Sequence, residues 1–349
     1  MRIILLLVLL GSLLKAAPST DLGQEIQVPL EGIDGFALID KDTGEIRIIT
    51  VSADGKVLAP AAYHSGLPAV TGATSGIMDG ANETLILASA TSSRLTLFNT
   101  VSSETTDLFP AGIGPQFPAY VRKAPAGPDD LATASTFNSG GDSLSLYRDP
   151  ADSFTALHAV SELSEITCLQ PFFTAPGNTR YAAGVENKPA GAELFTVAIS
   201  AGNKIRKTAS HPVSENTVLA SNVRRQDNTL MLVGYVRGST SVSLIPVSAA
   251  PALDVPVEVT LPFPAGSIAP ADPGGAGPAG ILVTSIDGKL AAHYEITRAN
   301  KLELVQEFLW DGNALISGLV PVPGKGIMTL SGETSRSSTQ FEFHSWDGS

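Results

Sequence analysis

The chain of 349 residues has a single cysteine, Cys168. One cysteine excludes any intramolecular disulfide, so a stable fold must rest on packing alone, which is reasonable above 300 residues. Flanked by apolar residues in ITCLQPFF, Cys168 reads as a buried structural thiol, and no base stands near it in sequence to make a nucleophile. Charged residues are also scarce, at 16%, against roughly 25% in an average soluble protein. What charge there is lies on one side: 34 acidic residues face 22 basic ones, a net of −12. Such a chain repels phosphate backbones and anionic membranes, so nucleic-acid binding is disfavoured. Long helices are disfavoured too, because 33 glycines and 24 prolines punctuate the sequence.

The one long apolar run stands at the start. Arg2 precedes Ile3 to Leu10, extended by Leu13 and Leu14, and Leu14-Lys15-Ala16-Ala17 offers small residues for cleavage. This pattern predicts a signal peptide over residues 1–16 and a mature chain over 17–349, secreted or periplasmic. The run is short for a membrane span, and no later stretch is long and apolar enough, so no membrane insertion is expected after cleavage. Losing Arg2 and Lys15 leaves 20 basic against 34 acidic residues, a net of −14.

What the sequence does have is a repeat. Short apolar segments begin at Phe36 (FALID), Leu85 (LILAS), Leu131 (LATAS), Tyr181 (YAAGV), Leu230 (LMLVGY), Ile281 (ILVTS) and Ile327 (IMTLS), at intervals of 46 to 51 residues. Within one period lie four β-favouring segments, as in FPAYV (117–121), LATASTF (131–137), SLSLYRD (143–149) and FTALHAV (154–160). Turn residues separate them, among them Lys41-Asp42-Thr43-Gly44, Ser139-Gly140-Gly141-Asp142 and Asp287-Gly288. The second segment of each copy is nearly all apolar or small, as suits a strand covered on both faces. The third alternates, with Leu95 and Leu97 on one face and Arg94 and Thr96 on the other. A period of this length built from four short strands predicts an all-β fold, a seven-bladed β-propeller of four-stranded antiparallel blades, forming one domain over 17–349.

Closure of the ring is left with two solutions. The last copy stops after its third segment, QFEFHSW. The spare segment Glu25–Leu30 can complete that blade from outside, the solution favoured here, or begin the first blade. Pro29 is acceptable in an edge strand and not in a central one.

The loops between first and second segments carry a phrase that resembles the FG-GAP or VCBS propeller repeat of the integrin-α head. It runs from Val70-Thr71-Gly72-Ala73 to Asp79-Gly80-Ala81-Asn82-Glu83-Thr84-Leu85, from Ala119-Tyr120 to Gly127-Pro128-Asp129-Asp130-Leu131, and through Val223 to Leu230. In that family the loop often binds calcium through alternating acids. Here Asp79 and Glu83, adjacent Asp129 and Asp130, Asp227 and Asp272 are scattered, and two loops have no acid. The resemblance therefore implies a propeller whose calcium sites are lost.

Other motifs read as structure. Gly275-Ala276-Gly277-Pro278-Ala279-Gly280 matches G-x-G-x-x-G but precedes a strand, whereas a dinucleotide site needs it to open a helix. Trp310-Asp311-Gly312 and Trp346-Asp347-Gly348 end apolar segments at turns. His64, His158, His211, His293 and His344 fall in five different copies without metal spacing. Asn82-Glu83-Thr84 is a single glycosylation sequon, and Arg224-Arg225 is the densest positive spot. No G-x-S-x-G elbow occurs. These readings nominate no catalytic, cofactor-binding or metal-ligating residue. They favour a non-enzymatic binding or scaffolding protein with a protein or glycan ligand. The alternative is an extracellular hydrolase or lyase acting on polysaccharide at the channel mouth through acids such as Asp129 and Asp130.

Overall fold

The computed structural model describes residues 19–349 apart from 31, 32, 34, 51, 53–55, 59, 78–81, 110–112, 122–129, 138–140, 148–155, 176–178, 201, 248–252, 272–278, 310–314, 323–325, 333–338 and 346–349. Among these residues all regular secondary structure is strand. The predicted signal peptide, both Trp-Asp-Gly triplets, Asp79, Asp129 and Asp272 lie outside the described residues.

Every sheet is antiparallel and its strands follow in chain order, so each is a meander. Six blades carry four strands or more: residues 20–64, 70–108, 113–163, 165–213, 217–260 and 265–309. A partial sheet of three strands follows, Leu315–Val322, Gly326–Gly332 and Thr339–Ser345. A lone meander with two apolar faces cannot shield them, and the ring solves this by stacking face on face. Seven hydrophobic clusters do so among the described residues, one at each seam. They join the blades successively from first to sixth, then the sixth to the partial sheet. The last cluster closes the circle: Leu22, Phe36, Leu38 and Ile49 of the first blade pack on Met328 and Leu330.

The second strand of each blade sits between two neighbours in its own sheet and two neighbouring blades. Glu83–Ser89 and Ile281–Ser285 are accordingly buried at every position. The hairpin glycines behave as the turn chemistry requires, with φ of +69° at both Gly44 and Gly288.

The favoured closure is corrected by the strand pairing. Glu25–Leu30 belongs to the first blade, paired with its next strand in register from Glu25↔Asp40 to Leu30↔Gly35. It does not complete the last sheet, which holds three strands among the described residues. The uniform four-strand expectation is corrected too, since Thr20–Asp21 adds a fifth strand to the first blade. The reason lies in Pro29, which pairs opposite Phe36. Thr20–Asp21 pairs only with Gln27 and Ile26, so Pro29 meets no strand on the channel side and its missing N–H costs little. Pro171, Pro270 and Pro321 occupy the same place opposite Ala182, Ile281 and Ile327.

Candidate functional site

The described recesses open on one face of the ring, where innermost strands begin, second strands turn into third strands and outer strands end. The first is the mouth of the central channel. Here Thr20–Asp21 lies on the channel side of Glu25–Leu30, paired through Thr20↔Gln27 and Asp21↔Ile26. A tight reversal makes this possible: Leu22 N–H donates to the Glu25 carbonyl at 2.9 Å, Gly23 N–H donates to Asp21 Oδ1 at 2.7 Å, and Gly23 has φ +101°.

The segment Ser19–Gly23 stoppers the channel by contacts to the first, fourth and fifth blades and the partial sheet. Lys41 Nζ of the first blade donates to both Asp21 carboxylate oxygens at 2.7 Å. Gln170 Nε2 of the fourth blade donates to the Ser19 carbonyl at 3.1 Å. Arg237 Nη2 of the fifth blade donates to the Leu22 carbonyl at 3.1 Å. Leu22 itself is buried against the first blade and the partial sheet. Beside the stopper remains a space of about 70 Å³, bounded by Asp21, Thr71, Phe117, Thr167 and Gln170 among others. Cys168 borders it, yet the side chain is 8% exposed. Burial, aided slightly by Asp21 and opposed by a backbone hydrogen bond at Leu219, pushes its thiol up to about 12. Asp21 is the one carboxylate among the described residues bounding this space.

The second recess is a groove of about 310 Å³ between the fourth and fifth blades. The end of the fourth blade's outer strand, His211 to Ser214, forms one wall. The floor and other wall come from the fifth blade: Thr217, Gly234, Ser241, Ser243 and Glu258. Its origin is a row of side chains that runs across four strands. In the fourth blade the row is Leu169, Gly184, Phe195 and Ser210. In the fifth it is Leu219, Gly234, Ser243 and Glu258. Phe195 is fully buried and its ring covers Gly184, where an added Cβ would lie 2.6 Å from the ring. Ser243 is too small to cover Gly234, and the space stays open. Both serines point their protons at the carboxylate: Ser241 Oγ donates to Glu258 Oε2 at 2.7 Å, and Ser243 Oγ donates to Glu258 Oε1.

The residues singled out from sequence do not converge. His64, His158 and His211 stand on outer strands, His293 and His344 on third strands, in five different sheets. His158 Nδ1 accepts from Ile205 N–H, and the His344 ring packs on Phe308 with centroids 4.9 Å apart. Burial holds His293 below the ordinary imidazole range, against the pull of Glu295 and a backbone bond at Ala279. Arg225 is engaged, bidentate to Asp227 of its own loop at 2.9 and 2.8 Å and bonded to Asn300 of the sixth blade at 2.8 Å. That hydrogen bonding, with help from Thr229, holds the Asp227 carboxyl below its usual range. Of the acids in the calcium-type loops, Glu83 is buried in a strand. Among the described residues no group of three or more His, Cys, Asp or Glu gathers as metal ligands would. Gly280, the last residue of the glycine motif, makes an isolated bridge with Arg224 at φ +132°.

The stopper and the groove are what sequence reading missed. Setting AELFTVAI beside TSVSLIPV would have placed Ser243 under Phe195. Nothing comparable announces Ser19–Gly23, because no other copy has that segment.

No protein-family model and no curated protein matches the chain. Solved structures do. A protein from Lactobacillus plantarum is similar over 81% of this chain and 84% of its own, at 15% identity and a TM-score of 0.54. A chain of the mitotic checkpoint complex is similar over 95% of this chain and 90% of its own, at 12% identity and a TM-score of 0.59. Identities this low carry the fold alone. The class is the β-propeller, built of antiparallel four-stranded blades.

Proposed function

We propose that the chain is an exported, non-enzymatic binding or scaffolding propeller that holds a protein or glycan ligand on one face of its ring. In this reading the three-stranded sheet is the seventh blade. Export rests on the leader-like residues 1–16. Kinship with calcium-free FG-GAP or VCBS propellers rests on the loop phrases alone.

The observation that carries the reading is the stoppered channel. Propeller folds gather groups from several blades at the channel mouth. Here that place is filled by Ser19–Gly23, and its carboxylate, Asp21, is neutralised by Lys41. Acid–base work on a glycosidic bond needs two carboxyl groups, one of them free to give or take a proton. Asp21, the one carboxylate among the described residues bounding this mouth, is paired with Lys41 and faces hydroxyl and amide side chains, an arrangement that supports the binding reading there.

The full chain, immobilised and probed on glycan arrays and against a panel of extracellular peptides and proteins, tests this. Saturable binding without turnover is the expected result. Release of reducing or unsaturated ends from a polysaccharide, lost on removing an acid, would overturn it.

A further inference from the structure

Resting on the binding role just proposed, the structure assigns the groove between the fourth and fifth blades a ligand: we infer that it takes the guanidinium group of an arginine in a basic segment of a partner protein.

Ser241 and Ser243 have already spent their only protons on Glu258. What those side chains still offer is lone pairs: two hydroxyl oxygens and the remaining acceptor sites of a carboxylate. An acceptor-rich wall calls for a donor-rich ligand. Glu258 is also the one carboxylate among the groove's described lining residues, and no lysine or arginine lines it. A cation is therefore attracted without a competing internal partner. Guanidinium answers both demands, with five N–H donors in a planar fork that matches a carboxylate and its neighbours. His211, on the facing wall, can accept through one ring nitrogen.

A sugar fits less well. Sugar faces pack on exposed aromatic rings, and the groove's tyrosine, Tyr235, is 3% exposed and packs toward the sixth blade. The net charge of −12 would also draw in a basic segment from a distance.

The test uses the full chain and two peptides, acetyl-AARAA-amide and its citrulline twin, followed by NMR shifts and calorimetry. The twin keeps shape and loses charge. The arginine peptide should bind saturably and more weakly as salt rises, and the citrulline peptide should bind about tenfold more weakly or worse. Glu258→Gln, a surface change that leaves the fold intact, should cost about the same factor. Ser243→Phe should abolish binding by filling the space. Equal binding of both peptides, no binding of either, or an unaltered Glu258→Gln would overturn the inference. A glycan or protein ligand found by the array, and indifferent to Glu258→Gln, would overturn it while leaving the binding role standing.

Discussion

The fourth and fifth blades begin the same row of side chains and finish it differently. Both set a leucine on the innermost strand beside a glycine on the second. The fourth then spends a phenylalanine to seal the gap, and the fifth spends a serine and ties it to a carboxylate. The difference shows how a repeat acquires a site without losing its fold. The seam beneath the groove stays apolar through Leu219, Leu232, Ile245 and Val247. Removing one ring near the surface thus opens a recess while the interior contact survives.

The comparison breaks most severely at Phe195. Its ring packs among Leu144, Leu146 and Val197 at the seam with the third blade. Phe195→Ser should cost about 3–5 kcal/mol by leaving a buried cavity. Urea unfolding reads the loss. A cost under about 1 kcal/mol would mean the ring does not seal the row, and the contrast with Ser243 would lose its physical basis.

The two glycines sharpen the contrast at the next level. An added Cβ at Gly184 would lie 2.6 Å from the Phe195 ring and 2.8 Å from the Cys168 carbonyl, and the carbonyl cannot step aside. Gly184→Ala should cost about 1–3 kcal/mol by overpacking. At Gly234 the nearest atom is a Thr217 methyl at 3.3 Å. Gly234→Ala should therefore stay within about 1 kcal/mol. Similar losses at both positions would show that the fifth blade is as tightly filled as the fourth.

The propeller architecture was legible because its cause is periodic: strands such as Leu85–Ser89 and Ile281–Ser285 must be apolar on both faces to be shared between blades. The closure was not legible, because Glu25–Leu30 suits an edge wherever an edge exists. Deciding between the two edges needed the recurrence of proline on innermost strands, at Pro171, Pro270 and Pro321, which is seen once the strands are ordered. The groove escaped for a different reason. Its makers are a missing ring and a surface acid, and neither serine nor glutamate is unusual in an exposed third or outer strand. A site defined by what is absent from one copy appears only when that copy is laid over its neighbour.

A pH experiment separates the blades next. One step along from Gly184, the fourth blade buries Glu186, which accepts from Lys207, from Ser164 N–H at 2.8 Å and pairs with Lys188 at 3.2 Å. The fifth blade has Val236 fifty residues on. Burial raises the Glu186 carboxyl, but the bonds from Lys207, Ser164 and Lys188 outweigh it and hold the group below its ordinary range. The sign follows: the contribution is present above the unfolded-state value of about 4.3 and is lost as pH falls through the lower folded value. Glu186→Gln should cost about 1–3 kcal/mol at neutral pH, less in acid, where the wild-type bond is already spent. Urea midpoints of both proteins should converge as pH drops; a constant gap would assign the loss to packing.

The smallest effect expected is the most informative about the groove. Ser243→Phe gives the fifth blade the fourth blade's side chain at a half-exposed position. It removes one hydroxyl–carboxylate bond, from an exposed Glu258 that water can serve instead, and adds apolar contact over Gly234. These oppose each other, and the net should lie within about 1 kcal/mol. Cys168 supplies an internal witness, because it lies in the apolar cluster beneath the groove and its thiol is pushed up to about 12. At neutral pH it should react slowly with thiol reagents, and faster when the seam opens. If Ser243→Phe merely fills existing space, the urea midpoint and the rate of thiol modification should both match the parent protein. Faster modification would mean the new ring wedges the blades apart, and that the groove is too shallow to receive a side chain of that size.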